Sequence, residues 1–299
     1  MKLKRRRAYN KPVDWTAKEE KELLSYLKKE SFDREKLKKM FPKRTLASIR
    51  SKVRKVRINK DLFGESYRND KEDFTIKIAN KAKPKIVFDA YAGAGHQTFK
   101  WIEVADKVFA SEILKEKLKQ FEKTAKKNGF TKCNTNDNFW KLFVKDNKEI
   151  YLFIGDAIAA AADLKVNRIK IDLMDLDTCG STLPALPTFL VLLRPKHVLI
   201  THGEFHSMRF QREDVLRRLF MHRDISKSPL PLKVDDMSDE LDKAVKTAAL
   251  RAHNETSDSF WMNLMEETWL GNKFHGMLRR YYKVERPAAT SDCINELSA

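Results

Sequence analysis

Cysteine is scarce in this sequence. Its 299 residues hold three, Cys133, Cys179 and Cys293, and no two stand in a Cys-x-x-Cys pair. That spacing argues against both a disulfide-stapled framework and a thiolate zinc site. A sparse, odd count predicts a reducing compartment, whether nucleus, nucleoid or cytoplasm. Long apolar runs are missing too: none approaches the ~20 residues that cross a bilayer, so no membrane partner is expected. Met1 to Arg7 lack the apolar segment of a secretory leader. No segment repeats. Acidic residues are depleted in one region only. Residues 1 to 60 hold 22 Lys and Arg against 7 Asp and Glu, so that block carries +15 of the net +18. A charge block this local predicts a polyanion-binding segment, nucleic acid above all, on a near-neutral body. The hydrophobic content of 42% suffices for a large domain with a smaller one attached.

Residues 1 to 12 read as a basic, disordered arm that includes Arg5, Arg6 and Arg7. Residues 13 to 57 read as three helices. Thr16 and Glu19 form a capping box, and Leu23, Leu24 and Leu27 give an apolar face behind Trp15. Asp33 caps a second helix carrying Leu37, Met40 and Phe41, which Pro42 ends. Thr45 opens a third, with Leu46, Ile49, Val53 and Val56 on one face. Arg50, Lys52, Arg54, Lys55 and Arg57, with Arg44 just before them, are the candidate nucleic-acid contacts. The run W-T-x-x-E-E, then F-P-x-R-T-x-x-x-I-R-x-K, resembles the Myb/SANT-like family. The resemblance implies a helix-turn-helix module that binds duplex DNA. Ile49 and Val53 stand where that family often has an aromatic. A SANT-like protein-binding module is the alternative, and the +15 charge weighs against it.

Residues 58 to 84 read as a polar linker, partly helical and without a core. From Lys85 short apolar runs alternate with amphipathic stretches. Strands are expected at 86–88, 108–110, 151–154, 169–173 and 197–201, with helices at 115–128 and 183–193 between them. Such alternation predicts a parallel sheet wrapped on both faces. A further helix is expected at 237–253. Two strands then follow around a tight turn at Gly271-Asn272, and a loose tail runs from 287 to 299.

The first strand runs into Asp89-Ala90-Tyr91-Ala92-Gly93-Ala94-Gly95, a D-x-x-x-G-x-G turn whose glycines admit close approach of a ligand. Glu112 ends the second strand, where a carboxylate can take both hydroxyls of a ribose, and Ile113 follows it. A third glycine near Thr98, which a dinucleotide dehydrogenase would want, is missing. After the third strand come Gly155, Asp156 and Ala157. Asp156 suits contact with an adenine amine, helix capping, or both. Together these pieces resemble class I S-adenosylmethionine (SAM) methyltransferases over residues 85 to 286. The resemblance implies a Rossmann-like α/β fold, a seven-stranded sheet ending in an antiparallel hairpin. It also implies SAM as cofactor, held by Asp89, Ala90, Tyr91, Gly93, Gly95, Glu112, Ile113, Asp156 and Ala157.

The fourth strand leads into Asp175-Leu176-Asp177-Thr178-Cys179-Gly180-Ser181. The Asn/Asp-Pro-Pro-aromatic motif of amino-methylating DNA enzymes is missing. The run D-L-D-T-C-G-S, followed by a strand ending at Thr201, is similar to the tRNA guanine-N2 dimethyltransferase family, with Thr178 and Cys179 in place of Pro and Phe. The similarity implies that Asp177 accepts the target amine, with Asp175 beside it, and that Thr178, Gly180 and Ser181 shape the pocket. A second reading makes Cys179 a cytosine-C5 nucleophile. A third keeps the fold without activity. His202, Glu204 and His206 are expected on the pocket rim, and no metal is assigned because a fourth ligand is missing. Nucleic acid is thus the expected partner, duplex DNA from the front module or tRNA from the strand-four motif.

Overall fold

The apolar runs of the larger region become the inner strands of one sheet. The computed structural model describes residues 14–29, 33–59, 65–135, 137–178, 180–205, 234–255, 260–271 and 277–286. The chain divides into two compact units, 1–62 and 63–299. Arg5 to Arg7, Cys179 and His206 lie outside the described residues, as do the side chains of Arg54, Lys55 and Arg57.

The first unit holds α1 (Ala17–Lys29), α2 (Arg34–Met40) and α3 (Leu46–Asn59). Its core is Leu23, Leu27, Leu37, Phe41, Ile49 and Val53, with Trp15 packed edge-on to Phe41 at 5.1 Å. The capping box forms: Glu19 N–H donates to Thr16 Oγ1 at 3.2 Å, and Thr16 N–H to Glu19 Oε2 at 2.8 Å. Asp33 caps α2 by accepting from the amides of Glu35 and Lys36.

In the second unit α4 (Glu65–Ala82) leads to β1 (Ile86–Asp89), α5 (His96–Val104), β2 (Lys107–Glu112) and α6 (Lys115–Lys127). Then come β3 (Thr131–Cys133), β4 (Trp140–Lys145), β5 (Lys148–Ile154), α7 (Ala157–Val166), β6 (Leu173–Leu176), α8 (Leu186–Leu193) and β7 (His197–His202). The last described elements are α9 (Val234–Glu255), β8 (Trp261–Leu270) and β9 (Met277–Glu285). The sheet order is β3-β4-β5-β2-β1-β6-β7-β9-β8. Strands β5, β2, β1, β6 and β7 are parallel and buried on both faces, which is why they read as continuous apolar runs. One core packs α7, α8 and α9 against one face, and a second packs α4, α5 and α6 against the other.

Three expectations change. Among the described residues the sheet has nine strands, not seven. The two extra strands, β3 and β4, form an antiparallel hairpin beside β5 whose weak alternation was masked by its lysines. The expected linker at 58–84 instead contains α4, an 18-residue helix that buries Phe74, Ile78 and Ala79 in the sheet core. Its many charges hid the narrow apolar stripe at i, i+4 and i+5. The fourth parallel strand lies at 173–176, because Ile171 and Asp172 end the preceding loop. The described ladder of the final hairpin reaches Leu270 opposite Met277, and Asn272 of the expected turn lies outside the described residues. Among the described residues no helix is long and apolar enough to cross a membrane.

Candidate active site

Strand order reverses between β1 and β6, and a crevice forms outside the carboxyl ends of strands at such a switch point. Asp89 and Asp175 stand directly opposite one another across that pair. The chain leaves β1 through Gly93 (φ +57°) and Gly95 (φ +90°) into α5. A Cβ on Gly95 would lie 2.7 Å from Phe99 and 2.9 Å from Phe121, so positive φ and close packing both require glycine there. A Cβ on Gly93 would meet nothing within 4 Å, which leaves open space above the turn.

Asp89 is buried. Its Oδ2 accepts from Thr98 Oγ1 at 2.6 Å, and its Oδ1 is sealed from solvent without a hydrogen-bond partner. Burial, with the nearby Asp175 charge, pushes its pKa up to about 7. Ala90 is buried beside it and Tyr91 is half-buried against Phe189. Burial, then the charge of Asp156, raises the Tyr91 pKa. Glu112 sits at the end of β2, one carboxylate oxygen accepting from Leu114 N–H at 2.7 Å, while Ile113 is 63% exposed. Asp156 caps α7 through the amides of Ile158 and Ala159, and Ala157 is buried behind it. Glu112 pairs with Ile154 across β2 and β5, and Gly155 N–H donates to the Glu112 carbonyl, so these two strand ends are adjacent. The cofactor candidates therefore meet along the carboxyl ends of β1, β2 and β5.

Asp177 lies just past β6. Lys71, from α4, forms an ion pair with its Oδ2, and Arg279 Nη1, from β9, lies 3.9 Å from its Oδ1. Burial alone would raise the Asp177 pKa, but Lys71 and Arg279 outweigh it and hold the carboxyl below its ordinary range. Asp175 differs from its expected catalytic role. It is fully buried, accepting from Trp101 Nε1 at 2.8 Å and from Arg279 Nη2 at 2.7 Å, so it anchors the arginine and reaches no substrate. Arg279 also donates to Thr201 Oγ1 at 2.5 Å.

The rim expectation is corrected as well. His202 and Glu204 are buried, because β7 continues through His202 and the chain turns inward after it. Ser181 Oγ donates to Glu204 Oε1 at 2.5 Å, tying down the loop after Asp177, and His202 Nδ1 lies 3.5 Å from the other Glu204 oxygen. Thr178 is half-buried and its Oγ1 accepts from Gly180 N–H at 3.3 Å; Gly180 is exposed. Among the described residues no three His, Cys, Asp or Glu are grouped to hold a metal ion.

In the first unit Arg44 is not a free contact for nucleic acid. It is 7% exposed, forks onto Glu19 at 2.7 and 2.9 Å, and donates to the Asp14 carbonyl. That pair holds the Glu19 pKa down to about 2. Lys52 pairs with Glu20, whereas Arg50 is exposed. Lys71 and Arg279 were missed by sequence reasoning. A lysine and a threonine on the apolar stripe of α4 were the available signal for the first. For the second the signal was an arginine pair inside a strand whose residues Leu278 to Tyr282 are all buried.

No protein-family model matches the chain, and comparison with curated proteins finds no relative. Solved structures do share its fold. The structure of Trm1 from Pyrococcus horikoshii with S-adenosyl-L-methionine superposes with a TM-score of 0.60 at 16% identity, covering 75% of this chain and 56% of that one. The M. jannaschii tRNA m1G37 methyltransferase gives 0.41 at 11% identity, covering 71% and 49%. M. jannaschii TYW2 in complex with AdoMet gives 0.39 at 13%, covering 71% and 76%. The second unit has the fold of a Rossmann-like methyltransferase. The chain spans just over half the length of the Trm1 structure it matches.

Proposed function

We propose that this chain is a SAM-dependent methyltransferase acting on the exocyclic amine of a base in structured RNA, with guanine N2 in tRNA as the first candidate. One observation carries the reading: Asp177, paired with Lys71, stands just past the carboxyl end of β6, the strand next to the one that runs into the glycine turn. The residues present suit a sulfonium nucleoside. Open space over Gly93 admits its methionyl part, and the buried, unpartnered Asp89 oxygen suits an ammonium. Glu112 suits the ribose and exposed Ile113 the adenine face. When bound, SAM supplies an electrophilic methyl group.

The chain's own residues would orient and receive the amine. Asp177 accepts an amine N–H and lines up the nitrogen lone pair, an orientation effect. Methylation makes the amine acidic, and Asp177 then takes its proton. Arg279 holds Asp177 in place from below, and Asp175 holds Arg279. The Glu204–Ser181 bond fixes the loop that carries Gly180, whose missing side chain leaves room for a base. RNA is preferred to duplex DNA because both the strand-four pattern and the Trm1 fold likeness lean that way. The basic first unit then contributes phosphate contacts.

The test is transfer of labelled methyl from SAM to tRNA, duplex DNA and single-stranded DNA, followed by nucleoside mass spectrometry. N2-methylguanosine in tRNA is expected; a methylated DNA base would overturn the RNA assignment. Asp177→Ala should lower transfer by ~100-fold or more with SAM binding intact, ~100-fold being the lower end of the range for a positioned acid-base group. An unchanged rate sinks its role. Cys179→Ser separates cytosine-C5 chemistry, which needs the thiolate, from amine transfer, which does not.

A further inference from the structure

We propose that Lys71 is a positioning residue for the transfer step. From α4 it clamps the Asp177 carboxylate against Arg279, fixing that group as an anion in one orientation. The inference rests on the methyltransferase reading for its reaction, and on the side-chain arrangement alone for its geometry.

A helix that only packs on a sheet places apolar residues along its inner stripe. On α4 that stripe reads Lys71, Phe74, Thr75, Ile78, and all four are buried. Burying an ammonium costs several kcal/mol unless it is paired, so a lysine here needs a specific partner. The two acids that flank it are engaged elsewhere. Asp70 accepts from Gly271 N–H, and Glu72 lies 3.5 Å from Lys100. Lys71 instead crosses to Asp177, 106 residues away. Thr75 completes the link, donating to Gln97 Oε1 at 2.8 Å while Arg279 Nη2 approaches it at 3.4 Å.

The surrounding charges explain why two cations are needed. Asp177 is faced by Lys71 from α4, Arg279 from β9, Thr201 from β7, and the carboxylates Asp89 and Asp175 from β1 and β6. Tyr67 lies below the lysine at 6.0 Å and His96 stands beyond it. Three carboxylates thus share two cations. Asp175 is fully buried and Asp89 nearly so, while the Asp177 side chain keeps 17% of its surface exposed. Of the two acids that share Arg279, only Asp177 opens toward the crevice, and only Asp177 has a second cation. Without Lys71, Asp175 and Asp177 would divide Arg279 between them. Asp177 would then hold a proton more readily, and a protonated carboxyl no longer offers both oxygens to the amine.

The experiment compares Lys71→Met, Lys71→Gln and Lys71→Arg in the full chain. Two readouts are taken: the pH profile of kcat and KM for methyl transfer to tRNA, and the carboxyl carbon titration of Asp177 by NMR without substrate, assigned with Asp177→Asn. In Lys71→Met the Asp177 midpoint and the acidic limb of kcat should both rise by ~1–3 pH units, the range for losing an adjacent opposite charge. At low pH kcat should fall ~10-fold or more, one pH unit being a factor of ten, while KM for SAM stays within ~3-fold. Lys71→Arg should restore both. Lys71→Gln decides by the same titration should the methionine variant fail to fold. An unmoved titration and an unmoved acidic limb overturn the proposal. If the wild-type chain methylates no nucleic acid, the activity reading fails, and the Asp177 titration still decides what Lys71 does.

Discussion

Arg44 and Arg279 are both buried arginines that hold acids, and they do different work. Arg44 ties its own neighbourhood together: Glu19, the Asp14 carbonyl and the Trp15 ring, whose centroid lies 5.0 Å from the guanidinium carbon. Its partner already caps a helix, so the pair fixes how the short helices of the first unit meet. Arg279 joins β9 to β6 and β7, and its two acids differ in access, one sealed and one half-open. Arg44 holds one acid, Glu19, which is partly exposed but occupied in capping α1, so the group is structural. Arg279 holds two, and the one open toward the crevice at the sheet switch point is the acid assigned to the proposed reaction.

The comparison breaks most sharply at Arg279. Arg279→Met should cost ~3–5 kcal/mol in denaturant unfolding, because it strands buried Asp175 without a counter-charge. A loss under ~1 kcal/mol would mean that Asp175 escapes burial in the variant. Gly95→Ala should come next. The left-handed φ and the contact with Phe99 and Phe121 together should cost ~1–3 kcal/mol, read in the same way. Gly93→Ala should spare more stability and weaken SAM binding instead, since open space lies there. The smallest effect sharpens the first half of the comparison. Arg50→Ala should reduce the salt slope of nucleic-acid binding by ~1, the value for one lost phosphate contact. Arg44→Met should lower the thermal stability of the α1–α3 unit and leave that slope unchanged. A slope that moves with Arg44 instead would place Arg44 on the phosphates.

Much of this architecture could be read from residue order. The parallel strands announced themselves as apolar runs because both of their faces are covered. The glycine turn and Glu112 stood at strand ends, where local spacing is informative. The β3–β4 hairpin was hidden because Lys132, Lys141 and Lys145 interrupt its alternation. Helix α4 was hidden because its inner stripe carries Lys71 and Thr75, which sequence patterning counts as polar. The candidate grouping was half legible. Asp175 and Asp177 lie in one short motif, but nothing local assigns one to the interior and the other to the crevice. That division is made by Arg279 and Trp101, from strands and helices far along the chain.

Arg279 belongs to β9, and its hydrogen bond to Thr75 spans 204 positions. Contacts so distant in sequence form late, after the loop-closure entropy between them has been overcome. Without β9 beside β7, Asp89 and Asp175 at the ends of β1 and β6 keep their hydrogen bonds from Thr98 and Trp101 but lack the arginine. On the proposed methyl-transfer reading, a chain truncated before β9 would lack the arginine that holds Asp177 and would be inert.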